Sequence, residues 1–394
     1  MNNCLKHWKE AATLILTAGS RSRVGSLSSG ARETAAGAPV LGNSSTGSRL
    51  PNRSAFDYNV LLLKRSKKSG FMPSAYVFPG GVVDASDFSS EWLDVFASFR
   101  NSPNFGLRKV EQVAASRPPI FATDRLKLGS PVPGEVAFRI CALRETFEES
   151  GVLLVVSKQK GESSPGSQSP VLKTNLLDSG DLTKWRILVN QNPSNFIRMC
   201  KELEVLPNIW ALHEWSNWLT PVEKYGRARF DTAFFICCLQ ETPETLQDQR
   251  EIVHYEWSTP TDVLQRFQEQ EFWLPPPQFY ELSRLCRYPL LNDLHVFASG
   301  RGTKGCEHWQ PVLCTKDDQY LSILPGDRLY PLDVSVNTEV DASKDPRPKE
   351  DNSGLHRMVV FDAYNIALQV TIQPKYSHVL PVMVPPTLDS QSKL

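Results

Sequence analysis

Neither charge predominates in this chain of 394 residues: 43 lysines and arginines face 43 aspartates and glutamates. With no net field to steer a polyanion or an anionic bilayer, composition gives no reason to expect nucleic acid or membrane as a partner. Long hydrophobic runs are also missing, so no bilayer span is expected. The best run, residues 11–18, follows Lys9 and Glu10 and reads as an opening strand and a poor signal peptide. Cysteine is sparse and unordered. Cys4, Cys141, Cys200, Cys237, Cys238, Cys286, Cys306 and Cys314 show no C-x-x-C pair and no regular spacing, which argues against a zinc site. Several lie in apolar runs, where a free thiol behaves as a small hydrophobe. A reducing compartment is therefore expected. There is no internal repeat, and the length is ample for a sizeable core.

What the chain does have is concentrated in residues 143–155, LRETFEESGVLLV. Glu145, Glu148 and Glu149 stand at i, i+3 and i+4, which sets three carboxylates on one face of a helix. Val136, Ile140, Leu143 and Phe147 recur at helical spacing on the opposite face, as on a helix packed against a sheet. Gly151 fits the left-handed position that ends such a helix. Three like charges side by side would destabilise the helix unless a hard divalent cation, Mg²⁺ or Mn²⁺, reversed the sign. A solvated acidic face is the bland alternative, and a second run speaks against it. Residues 76–81, YVFPGG, close a strand-like segment on paired glycines, as expected where a loop backbone must approach a ligand closely.

Together the two runs resemble the Nudix box, G-x5-E-x7-R-E-U-x-E-E-x-G-U with U apolar, the signature of the Nudix hydrolases. That family cleaves a nucleoside diphosphate linked to another moiety. The resemblance implies an α/β fold: a Nudix α/β/α sandwich with a mixed sheet, here with a large insertion inside the box and a C-terminal extension. It also implies Mg²⁺ or Mn²⁺ held by Glu145, Glu148 and Glu149, with the Gly81 carbonyl as a further ligand. One carboxylate would accept the proton of the attacking water, and Arg144 would hold the carboxylates by charge-assisted hydrogen bonds. A late-loop carboxylate would come from Glu251 or Glu256. The box is split: the 63 positions from Gly81 to Arg144 exceed the fourteen of an unbroken box by 49. Its first acidic position falls on Asp87 counting forward from Gly81, or on Val136, beside Glu135, counting back from Arg144.

A further resemblance bears on substrate. Leu61-Leu62-Leu63-Lys64-Arg65-Ser66, then after eleven residues Phe78-Pro79-Gly80-Gly81, resembles the coenzyme A signature of some Nudix enzymes, L-L-T-x-R-(S/A)-x3-R-x3-G-x3-F-P-G-G. Leu63, Gly70 and Ser74 depart from it. It implies hydrolysis of the diphosphate linkage of coenzyme A and acyl-coenzyme A to adenosine 3′,5′-bisphosphate and (acyl-)4′-phosphopantetheine. Lys64, Arg65, Lys67, Lys68 and Gly80 would then bind substrate, a basic cluster suited to the 3′-phosphate and diphosphate. The alternatives are a Nudix hydrolase acting on NADH or ADP-ribose, and a non-catalytic nucleotide-binding module. The last residues, Ser392, Lys393 and Leu394, match the peroxisomal address, so a peroxisomal location and the import receptor as a partner are expected.

Residues 8–385 are expected to form one domain with loop insertions at about 19–55, 88–134 and 157–180, and 386–394 a flexible tail; a monomer is expected. Strands are expected at 11–16, 58–63, 152–156, 211–219, 228–239 and 253–257. Besides the box helix, helical spacing predicts 92–99, with Ser89 or Ser90 as N-cap, and 181–190, 194–204, 261–269 and 279–285.

Overall fold

The computed structural model describes residues 8–20, 50–70, 72–158, 179–222, 228–247, 251–316, 319–334, 340, 351 and 353–384. Much of the expected insertions at 19–55 and 157–180, and the whole tail with Ser392, Lys393 and Leu394, lies outside these residues. In chain order the strands and α-helices begin β1 (Trp8–Gly19), β2 (Tyr58–Arg65), β3 (Tyr76–Val77), β4 (Gly80–Val82), α1 (Trp92–Val95), α2 (Pro119–Ala122) and α3 (Gly134–Ser150). Then come β5 (Val155–Ser157), α4 (Ser179–Gln191), α5 (Asn195–Glu202), β6 (Val205–Pro207), β7 (His213–Leu219), β8 (Arg229–Leu239) and β9 (Ile252–Ser258). The rest is α6 (Pro260–Gln268), α7 (Pro276–Leu285), α8 (Leu291–Arg301), β10 (His308–Trp309), β11 (Val312–Lys316), β12 (Gln319–Ile323), β13 (His356–Asp362) and β14 (Asn365–Val370).

The run 11–18 forms the spine of the main sheet. β1 pairs in parallel with β8 from Trp8–Arg229 to Ala18–Leu239, and on its other edge antiparallel with β4 and then β2. The sheet runs β10-β7-β8-β1-β2-β3, with β4 joined to β1 and β9 to β2, and mixes parallel and antiparallel pairs. Side chains alternate across a strand, so β1 serves two cores at once. Ala12, Leu14, Leu16 and Ala18 enter one with Leu61, Phe235 and Cys237. Ile15 enters the other with Tyr58, Val60, Leu62, Phe234 and Ile236. Burial on both faces is why this strand reads as a nearly continuous apolar run.

The first core is roofed by α3. Val136, Ala137, Phe138, Ile140, Cys141, Ala142 and Leu143 are all buried, as is Arg139 among them, so the N-terminal half of the helix needs cover on every side. The sheet supplies one side. The segment between Gly81 and α3 supplies another, with Phe88 and Phe121 set edge-on to Phe138 at 5.8 and 6.2 Å, and Trp92 against Phe196 of α5 at 6.1 Å. Helical structure there is shorter than the spacing of residues 92–99 predicts. α1 is one turn; Glu91 ahead of it makes no side-chain cap bond, Ser89 Oγ accepts the Glu91 N–H at 3.2 Å, and the turn gives way to a 3₁₀ turn at Ala97–Phe99. The strand expected at 152–156 is displaced to Val155–Ser157, because its partner β6 reaches only those residues.

The second core lies across the sheet beneath α6, α7 and α8. It continues into a separate antiparallel sheet, β11-β12-β13-β14, whose Met358, Ile366, Leu368 and Val370 pack with Phe267, Phe279 and Tyr280. Among the described residues, no helix is long and apolar enough to cross a membrane, and the seven described cysteines are free and buried.

Candidate active site

From Arg144 onward α3 turns polar on the side facing the glycine pair. Arg144 is 2% exposed and works as a clamp. Its Nε and Nη2 donate to Oδ1 and Oδ2 of Asp87, each at 2.8 Å. Its Nη1 donates to Glu145 Oε1 at 2.8 Å and to Glu148 Oε1 at 2.7 Å. Asp87 is buried and oriented in turn: its Oδ2 accepts the Asp84 N–H at 2.9 Å within a capping box heading the 3₁₀ turn Ala85–Phe88.

Counting along the broken box left Asp87, Val136 and Glu135 open, and the structure separates them. Val136 is in the core. Glu135 pairs with Arg117 at 2.6 Å, away from the clamp. Asp87 takes the arginine in a bidentate pair, the strongest geometry available to a carboxylate. The forward count was the signal.

Glu149 is held separately. Its Oε2 accepts the Gly80 N–H at 2.9 Å, so that amide of the candidate substrate-binding set faces a carboxylate. A Cβ at Gly81 would lie 2.5 Å from the Glu145 carboxylate, and one at Gly80 would lie 2.4 Å from the Ala12 carbonyl oxygen. Gly80 thus lets β4 pass against the backbone of β1, and Gly81 leaves the Glu145 carboxylate its place. Below the carboxylates, Arg186 Nε and Asn190 Nδ2 of α4 donate to the Glu148 carbonyl at 2.9 and 3.3 Å, and Gly151, at φ 73°, closes the helix. No sequence spacing announced those two α4 contacts.

All three glutamates hold their protons more tightly than free carboxylates. Burial raises Glu145 to about 7, against the pull of Arg144, and Glu148 adds to the rise. Burial likewise raises Glu148, and it raises Glu149 well above the usual range with the charge of Glu145 behind it. Among the described residues no three His, Cys, Asp or Glu side chains converge as a ready metal cage. The reason is visible in the bonds: Arg144 draws Glu145 and Glu148 to itself, and the Gly80 amide draws Glu149. Those bonds occupy one oxygen of each carboxylate. Three glutamates with all-oxygen donors, penalised by burial for carrying charge, fit a hard divalent cation.

The basic cluster is divided. Arg65 Nη2 donates to Ser69 Oγ at 2.8 Å and pairs with Glu251 at 2.5 Å, and both Arg65 and Glu251 act electrostatically on Glu149. Lys64 Nζ lies 5.5 Å from the centre of the Tyr76 ring. Lys67 and Lys68 are exposed on the turn after β2. Glu256, the other late carboxylate, pairs with Arg266 and with nothing in the clamp.

The family model for the NUDT19 Nudix domain matches residues 8–285, and that for the NUDT19 C-terminal domain matches residues 313–371. A Xenopus laevis protein named acyl-coenzyme A diphosphatase NUDT19 is 47% identical, covering 100% of this chain and 99% of its own. Proteins of that name from Gallus gallus and Homo sapiens are 45% and 40% identical, over 98% and 95% of this chain and 97% and 94% of theirs. A solved NUDIX hydrolase from Alicyclobacillus acidocaldarius is 19% identical with a TM-score of 0.47, covering 74% of this chain and 97% of that one. The chain belongs to the NUDT19 family of Nudix hydrolases. Nudix hydrolases generally use divalent metal ions.

Proposed function

We propose that the protein hydrolyses the diphosphate linkage of acyl-coenzyme A and coenzyme A, with Mg²⁺ or Mn²⁺, to adenosine 3′,5′-bisphosphate and (acyl-)4′-phosphopantetheine. The observation that carries this reading is the Asp87–Arg144 clamp, which fixes Glu145 and Glu148 one helical turn apart beside Glu149 and the glycine pair. The relatives named acyl-coenzyme A diphosphatase supply the substrate class. Glu145, Glu148, Glu149 and the Gly81 carbonyl would hold the cation. Bound there, it would neutralise phosphate charge and sharpen the acidity of an attacking water. Water adds to one phosphorus, the bridging P–O bond breaks, and the water's proton passes to a carboxylate of the acidic face. Arg65, Lys64, Lys67 and Lys68 stand where β2 ends and would meet the 3′-phosphate or the diphosphate.

Purified protein with Mg²⁺ should convert acyl-coenzyme A and coenzyme A to the two products identified by mass. It should do so faster than it turns over NADH or ADP-ribose, and a chelator should abolish the reaction. Glu148→Gln keeps the shape and removes one ligand charge, so turnover should fall by orders of magnitude in a folded protein. A variant retaining most activity would refute the metal assignment, and faster turnover of NADH would refute the substrate. We further propose peroxisomal import through Ser392, Lys393 and Leu394. A chain ending at Lys393 should stay in the cytosol, and its continued import would remove that argument.

A further inference from the structure

Across the main sheet from the carboxylates, a cavity of about 20 Å³ is lined by Trp215, Arg284, Arg301, Cys306 and Lys375, with His378 beside them. That exceeds the roughly 10–15 Å³ one water requires. Arg301, the last residue of α8, is 2% exposed. Its Nη1 and Nη2 donate to the carbonyls of Glu214 and Gly305, while its buried Nε has no hydrogen-bond partner. The carboxylates that act on it are already matched. Glu214 pairs with Arg117 at 2.8 Å. Glu281 pairs with Arg284 and also accepts from Trp215 Nε1, Ser216 Oγ and Trp218 Nε1. Arg301 is therefore a buried cation that makes no ion pair among the described residues, and an uncompensated buried charge is costly.

The second unmatched atom is also a donor. His378 Nδ1 accepts the Val379 N–H at 2.8 Å, so Nε2 carries the ring hydrogen. Nε2 is covered and makes no properly formed hydrogen bond, although the Trp215 carbonyl lies on that side. At the lip, Lys375 is neutralised by Glu307 at 2.7 Å, which leaves Arg301 as the cation in excess. A water could accept from either donor but would leave the guanidinium charge unbalanced.

We propose that this cavity binds one compact anion, a halide or the carboxylate head of a small acid, between Arg301 Nε and His378 Nε2. It would then tie α8 to the segment that follows β14, on the side of the sheet remote from the acidic face.

The test is the thermal midpoint of the full-length protein at constant ionic strength in a bulky sulfonate buffer, with bromide or acetate titrated in. The expected result is a saturable rise in the wild type, lost in Arg301→Gln and shifted to higher anion concentration in His378→Phe. Arg301→Gln should turn over substrate at the wild-type rate. A rise with bromide alone assigns a halide, and a rise with acetate alone assigns a carboxylate head. Crystals soaked in bromide should show an anomalous peak beside Arg301 in the first case. Flat titrations, equal responses in wild type and Arg301→Gln, or an ordered water in the cavity under saturating bromide and acetate would overturn the proposal. If Arg301→Gln does not fold, the His378→Phe titration and the bromide crystal decide between the same outcomes.

Discussion

At the scale of single residues the site depends on one arginine reading three acidic partners. The spacing of Arg144, Glu145, Glu148 and Glu149 could be read directly, because i, i+3 and i+4 positions share a face wherever a helix forms. Asp87 was legible only as one of several possibilities, since counting residues fails across an insertion and only packing shows which side chain returns to the helix. Asp87→Asn keeps an acceptor for Arg144 but removes the charge and one arm of the bidentate pair. Stability should fall by about 1–3 kcal/mol, the usual cost of an under-satisfied buried donor. With Glu145 and Glu148 drawn further onto Arg144, the metal concentration for half-maximal activity should rise at least tenfold. Glu135→Gln is the control, because Glu135 pairs with Arg117 and lies outside the clamp. It should cost stability without moving the metal requirement. Urea unfolding and metal titrations on both variants check this, and equal metal shifts would show that Asp87 has no special place.

At the scale of elements, sequence patterns located α3, the long strands and the helix after β9, because each carries a period or cap that local chemistry enforces. Thr259, for instance, accepts the Asp262 N–H at the head of α6, with Pro260 in the first turn. The shortness of α1 and the late start of β5 were not legible. Trp92, Val95, Phe96 and Phe99 keep helical spacing, yet burial against α3 and α5 fixes them, and that packing is satisfied by one α-turn and a 3₁₀ turn. The two glycines of β4 differ in a way the motif hides. At Gly80, which has φ 155°, a Cβ would strike backbone, so Gly80→Ala should destabilise the fold by about 1–3 kcal/mol. At Gly81 the obstacle is the carboxylate end of the Glu145 side chain, which can shift without moving backbone. Gly81→Ala should therefore leave stability within about 1 kcal/mol of wild type and still reduce hydrolysis at least tenfold by displacing that carboxylate. Thermal melts and initial rates separate the two, and a Gly81→Ala enzyme of normal activity would remove Glu145 from the site's close-packed geometry.

On the scale of the whole molecule, the main sheet divides labour: carboxylates and glycine pair on the face under α3, the C-terminal strands on the other. β13 and β14 carry short apolar stretches, but nothing in them announces a sheet of their own, since pairing partners distant in sequence leave no local signature. His356 of β13 is one of the joints between the two sheets. Its Nδ1 lies 2.7 Å from the Pro325 carbonyl, which can only accept, so Nδ1 carries the hydrogen and Nε2 accepts from Tyr280 Oη at 2.9 Å. Burial lowers its pKa from 6.5 to about 4, with the Pro325 carbonyl opposing the shift. Above pH 6.5 the ring is neutral folded or unfolded, and the joint contributes fully. Between pH 6.5 and about 4 the unfolded chain binds a proton that the native one refuses, so stability falls with pH. Two and a half pH units at 1.36 kcal/mol each give a loss on the order of 3 kcal/mol. The buried glutamates of the active site, with raised pKa values, act in the opposite sense, so the whole-protein profile alone does not isolate the joint. His356→Gln does: it should be less stable than wild type at pH 7 and lose less stability on going to pH 4.5. Urea unfolding of both proteins at the two pH values measures the difference, and parallel losses would show that His356 does not couple the C-terminal sheet to acid.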